Sequence, residues 1–246
     1  MQYKKDVGEE MQLPNEIKLN EYYAKIFKNI NSLCEKFQYE KANILLNRKL
    51  KKVEFLNDNY NLKQYYYYNG LTLLLGKNNI DESEENFELA LETNGGYQNE
   101  FLNTMITNMY GVISIMKEDV VTAKYYFEKS LFELEELMDY GAENFEKTLL
   151  VIYNCAKFFS GLNDYKKSIS LCNIGIDFAV SENIMPHLEK IYYEKAFNLA
   201  KLKKFEKAEK FYFQAYALCM IKRNSTLIEV INKDMIEFKL KLKATN

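Results

Sequence analysis

Proline is almost missing from this chain: Pro14 and Pro186 are the only two in 246 residues. There is no tryptophan, one histidine, two arginines (Arg48 and Arg223), nine glycines and four cysteines. Low Pro and Gly beside recurring Leu, Tyr, Phe, Lys and Glu is an all-helical composition. The four cysteines, Cys34, Cys155, Cys172 and Cys219, show no CxxC spacing and fall in amphipathic helical segments. They read as small buried thiols of a reducing compartment, not as metal ligands or disulfides. The sole histidine, His187, follows Pro186 at a helix start, where a capping or surface role is expected. HExxH, a phosphate-cradling glycine loop and GxSxG are all absent, so no catalytic group, metal or cofactor is expected.

Long apolar runs are missing too. No stretch approaches the roughly 18 uncharged residues of a membrane span, and the first twenty residues are charged throughout, unlike a signal peptide. The chain reads as soluble and cytoplasmic. Net charge is -2 with Lys and Glu intermixed, and a nucleic-acid-binding stripe of one sign is absent. Frequent Lys, Asn and Ile with scarce Arg suggest an AT-rich bacterial genome. Acidic pairs such as Glu84-Glu85 and Glu135-Glu136 read as solvated helix faces.

What the chain does contain is a repeat. Ala42, Ser83, Ala123, Ser168 and Ala208 take one role at spacings of 41, 40, 45 and 40 residues. A helix with a small residue, a turn, and a second helix with small and aromatic residues recur at this period, which marks stacked helical hairpins. The hairpins are expected at 16–53, 60–93, 98–138 and 144–182, with a fifth from Pro186 to about residue 222. Their turns fall at 35–39, 76–79, 117–119, 161–164 and 203–204, and Gly95-Gly96 is the strongest break. Asn15 is placed to cap the first helix, residues 1–15 are irregular, and a capping helix is expected over about 225–243.

The fifth unit fits the tetratricopeptide template through Tyr192, Ala196, Leu199, Ala208, Tyr212 and Ala215. The fourth gives Ile152, Ala156, Phe159, Ser168, Cys172 and Gly175; the third gives Gly111, Ser114, Ala123, Phe127 and Ser130. Small side chains are required where the two helices of a hairpin cross closely. The period exceeds the usual ~34 residues, so the hairpins have lengthened helices, and the pattern alone does not separate them from HEAT-like arrays. The expected fold is an all-α, tetratricopeptide-like right-handed solenoid of about five hairpins plus a terminal capping helix, spanning 16–246 as one domain.

In such stacks the first helix of each pair lines the inner groove, with residues one turn apart sharing its stripe. Counting from the small positions, the stripe includes Tyr68, Asn69, Asn108, Tyr153, Asn154, Lys157, Tyr193 and Glu194, with Lys190 and Lys201 further along the fifth unit. An asparagine amide offers an acceptor and two donors, so a ladder of them can grip both backbone groups of an extended peptide. Lysines beside it could neutralise a carboxylate, and the Tyr65–Tyr68 run could pack apolar side chains, half in the core and half in the groove.

Four segments carry a resemblance: LCEKFQYEKANILLNRKLKK (33–52), YYFEKSLFELEELMD (125–139), YNCAKFFSGLNDYKKSISLCNIGIDFA (153–179) and YYEKAFNLAKLKKFEKAEKFYFQAYALC (192–219). In order and spacing they are similar to the sensor domain of PlcR-type regulators, within the peptide-responsive quorum-sensing receptors that include the Rap, NprR and PrgX types. The resemblance covers about 16–240 and implies a domain that binds a short, re-imported signalling peptide, pairs as a homodimer and controls transcription in a Gram-positive bacterium. In that family, groove asparagines hold the peptide backbone. The YN before AK carries this role to Asn154, and position in the third unit carries it to Asn108; Asn69 and Glu194 rest on groove geometry. PlcR-type proteins begin with a helix-turn-helix domain, which the fifteen polar residues before the first hairpin cannot form. Contact with DNA would require such a domain from outside this sequence. A general tetratricopeptide scaffold for a protein partner, without a transcriptional role, is the other reading.

Overall fold

The computed structural model describes residues 15–55, 57–96, 100–137 and 144–241. The expected irregular segment lies outside them, apart from Asn15, which is already helical. Contacts divide the chain into two compact units, residues 1–96 and 97–246, at the predicted Gly95-Gly96 break. The first unit contains α1 (Asn15–Glu35), α2 (Tyr39–Lys49), a 3-10 turn (Lys52–Phe55), α3 (Asn59–Lys77) and α4 (Ile80–Glu92). The second contains α5 (Glu100–Met116), α6 (Val120–Leu137), α7 (Phe145–Gly161), α8 (Tyr165–Ser181), α9 (Leu188–Lys201), α10 (Phe205–Lys222) and α11 (Ser225–Glu237).

Within each unit the helices pair as hairpins, and α7 also packs against both α5 and α9. The hairpin turns share one construction. The first helix ends on a non-glycine residue of positive φ: Phe37, Asn78, Glu118, Asn163 or Lys203. The following N–H reaches back five residues in four of the turns, as in Asp164 N–H to the Phe159 carbonyl at 2.9 Å, and six in the Asn78 turn, from Asn79 N–H to the Leu73 carbonyl, which satisfies a helix-end carbonyl. In three turns that residue then caps the next helix. Asn79 accepts from Glu82 N–H, Asp119 from Thr122 N–H and Asp164 from Lys167 N–H, at 3.3, 3.0 and 3.1 Å.

The five repeat-marking residues, Ala42, Ser83, Ala123, Ser168 and Ala208, are all 0% exposed. The close crossing they allow is tightest at the matching first-helix glycines. A Cβ on Gly111 would lie 3.0 Å from the Phe127 ring, and one on Gly70 would lie 2.8 Å from Phe87. All four cysteines are free and buried. The last helix stops at Glu237, short of the expected 243. Lys239 takes a φ of 56° and Leu240 N–H bonds the Met235 carbonyl at 2.8 Å, turning Leu240 back against the core of α9, α10 and α11. No helix among the described residues is long and apolar enough to cross a membrane.

Candidate functional site

In the second unit the first helices α7 and α9 each keep a stripe of partly exposed side chains, whereas α5 is almost wholly buried. On α7, Glu146, Leu150, Tyr153 and Asn154 are half-buried and Lys157 is exposed, a stripe at helical spacing. On α9 the corresponding stripe is Tyr193, Phe197 and Lys201. The Lys201 ammonium lies 5.0 Å from the Phe197 ring centre and 5.1 Å from that of Phe238, and 3.8 Å from Glu237. Cations and aromatic faces therefore alternate along this surface, with hydrogen-bonding groups seated between the helices.

Asn154 donates through Nδ2 to Asn108 Oδ1 at 2.8 Å, linking α7 to α5. Asn108 is 0% exposed and donates to Ser130 Oγ at 3.0 Å and Cys155 Sγ at 3.5 Å. It was expected on the open stripe, yet α6 and α7 both close over it. Glu194 is buried as well: its Oε1 accepts from Asn198 Nδ2 at 2.9 Å. Burial raises the Glu194 pKa, opposed by hydrogen bonds from Ser160 and Asn198 and by the Lys157 charge.

Lys190 is likewise buried, 3.3 Å from His187 Nδ1 and 5.8 Å from the Tyr153 ring centre. His187 is neither surface nor a side-chain cap. It is 5% exposed, with φ 56°, its carbonyl accepting from Lys190 and Ile191 N–H. Burial, then the Lys190 and Lys222 charges, push its pKa down to about 3. The ring is therefore neutral, and its 3.7 Å contact with Glu146 is no ion pair. With Lys190 donating to Nδ1, Nε2 carries the proton and faces Glu146.

Tyr193 donates to Asp234 Oδ2 at 2.9 Å, and Tyr212 reaches the same oxygen at 3.3 Å. This ties α9 and α10 to the terminal helix. Burial raises the Asp234 pKa against the lowering effect of these two donors. In the first unit, Asn69 is half-buried and donates to Asn86 Oδ1 at 2.9 Å. Tyr68 is buried, its hydroxyl donating to Asn31 Oδ1 at 3.2 Å. Tyr66 and Tyr67 are buried with it and only Tyr65 keeps partial exposure, so the tyrosine run is mostly core.

Four residues expected on the open stripe, Tyr68, Asn108, Lys190 and Glu194, are thus buried, because neighbouring helices fill the space that helical spacing alone leaves open. The sequence marks Ser130 only as a small crossing residue and gives Asn198 and Asp234 no role. Asn198 carried one readable signal, its position four residues after Glu194; the other two are joined to the site only by packing. Among the described residues no cluster of three His, Cys, Asp or Glu side chains could hold a metal ion.

No family model matches the chain, and no curated protein is similar to it in sequence. Solved structures are similar in fold. PlcR of Bacillus thuringiensis, solved with the peptide PapR7 and DNA, matches over 90% of this chain and 77% of its own, at 21% identity and a TM-score of 0.74. A signal transduction ATPase with a tetratricopeptide repeat sensor, from Pyrococcus horikoshii, matches over 87% of this chain and 32% of its own (19% identity, TM-score 0.63). Kinesin light chain tetratricopeptide-like repeats of Podospora anserina match over 86% and 99%, at 10% identity and a TM-score of 0.53. This chain shares their all-α, tetratricopeptide-like fold.

Proposed function

We propose that the chain is the peptide-sensing domain of a PlcR-like, cytoplasmic transcriptional regulator. A short signalling peptide lies extended along the first-helix face of α7 and α9. Asn154 grips its backbone; Tyr153, Tyr193 and Phe197 pack its side chains; Lys157 and Lys201 meet its negative charge. The observation that carries this reading is the half-buried Asn154 amide, anchored on one side by Asn108 and flanked by partly exposed aromatics and lysines. Asn108, Lys190 and Glu194 hold that surface in place rather than touching the ligand, and Tyr68 and Asn69 bond within the first unit. The mechanism needs no chemistry. Peptide that binds one conformation better than another shifts the population and so repositions an attached DNA-binding domain or a homodimer partner.

The test is calorimetric titration with short peptides encoded beside the gene. Micromolar or tighter binding, lost in Asn154→Ala, supports the reading; binding that ignores the substitution removes the groove assignment. A second reading, a scaffold for a protein partner or a second copy, draws on the apolar outer faces. Val121, Phe132 and Val180 are 82%, 62% and 69% exposed on α6 and α8. A partner whose affinity depends on Phe132 and Val180, and not on Asn154, would favour it.

A further inference from the structure

A chain of hydrogen bonds running inward from Asn154 ends on a group whose polarity is fixed. The Phe127 carbonyl can only accept, and Ser130 Oγ lies 2.9 Å from it. Ser130 donates its single proton there and accepts from Asn108, while Cys155 Sγ lies 3.6 Å from both Ser130 Oγ and the same carbonyl. That places Asn108 Nδ2 towards Ser130 at 3.0 Å, with Cys155 Sγ a weaker second acceptor at 3.5 Å. Asn108 Oδ1 is then left facing α7, where it can only accept, so Asn154 must turn Nδ2 towards it at 2.8 Å. Every member but Asn154 is buried, so water does not readily replace a partner, and reversing either amide alone leaves two donors or two acceptors face to face.

We infer that Ser130 and Asn108 are positioning residues that fix the polarity of Asn154, so that its Oδ1 and one Nδ2 proton face the open surface and the Oδ1 accepts a backbone N–H of the ligand. This rests on the proposed peptide-binding reading and adds which atom of Asn154 receives which atom of the peptide. Neither Asn108 nor Ser130 touches the ligand, yet both decide how it is read. Without them Asn154 could rotate its amide and present the opposite pattern.

Two measurements test it. In the free protein, nitrogen-15 NMR of the Asn154 side-chain amide should show one proton slowed in exchange by its bond to Asn108. Ser130→Ala should erase that protection and shift the signals, and Ser130→Thr, which keeps the hydroxyl, should restore them. Unchanged Asn154 signals in Ser130→Ala overturn the inference, whatever the ligand is. The second measurement uses the tightest binder from a positional-scanning pool of short peptides with free termini. Each backbone N–H is replaced in turn by an ester oxygen. One ester should bind the wild type about tenfold more weakly, the scale of one lost hydrogen bond, and bind Asn154→Ala no more weakly than the parent peptide does. Loss spread equally over both proteins overturns the atom assignment. A pool with no binder sinks the peptide reading itself, while the NMR result still decides the positioning role.

Discussion

Helices α5 and α7 hold the same place in consecutive hairpins of one unit, and they meet their surroundings differently. α5 is buried on nearly every side: Met105, Ile106, Asn108, Met109 and Ile113 are all at or below 3% exposure. α7 keeps an open stripe from Glu146 through Asn154 to Lys157. Each carries an asparagine near its small crossing residue, but Asn108 became a buried anchor and Asn154 a surface group that uses one of its donors inward. Equivalent repeat positions thus divide into support and contact, according to how many neighbours pack over them.

The comparison breaks most sharply at the crossings. Gly111→Leu on α5 would drive a side chain into Phe127, already 3.0 Å from a Cβ. Overpacking costs about 1–3 kcal/mol and more where backbones must part. The variant is expected to lose cooperative thermal unfolding altogether, as read by circular dichroism. Asn108→Leu comes next. It leaves Ser130 without its donor and Asn154 without its acceptor and should cost about 2–3 kcal/mol in urea denaturation, whereas Asn154→Ala should cost less, about 1 kcal/mol, because truncating a half-exposed side chain lets water reach the Asn108 Oδ1 that it uncovers. Equal losses for the two would erase the distinction between anchor and contact.

Titration sharpens it further. The α5–α6 seam joins Asn108 to Ser130 and Thr107 to Glu133, and the α7–α9 seam contains Glu194 and His187, whose pKa values are displaced in opposite directions. The pKa of Glu194 is raised in the fold, so the folded state binds more protons than the unfolded one between the ordinary carboxylate range and the raised value. Stability is lost as pH rises through that window. Glu194→Gln should therefore gain on the wild type at neutral pH and lose its advantage in acid. His187, held to about 3, acts in the opposite sense. Below about pH 6.5 the unfolded chain takes up a proton that the fold refuses, lowering stability by up to ~1.4 kcal/mol per pH unit. His187→Asn, which tolerates the positive φ, should flatten that acid slope. The smallest expected effect on stability is Lys157→Ala, within about 0.5 kcal/mol, although it should weaken binding of an acidic peptide in a salt-dependent way.

Much of the fold is legible because it is local. Helix ends follow from Asn79, Asp119 and Asp164 at the caps, and the repeat period follows from small residues that must recur wherever helices cross. The turns at Phe37 and Lys203, placed within 35–39 and 203–204, lack such a side-chain cap, and their positive-φ residues, without a left-handed preference, are held there by the helices on either side. The candidate site is less legible. Helical spacing places Asn108, Asn154, Lys190 and Glu194 around first helices without saying which of them a neighbour covers. The sequence by itself determined a set of amphipathic hairpins with fixed crossings, since periodicity and capping act within a few turns of one chain. The tertiary structure alone decided that Asn108 and Glu194 lie inside, that Asn154 remains half open, and that Asp234 closes on Tyr193 and Tyr212. Burial and hydrogen-bond polarity are properties of what packs from elsewhere in the fold, and a linear pattern does not contain them.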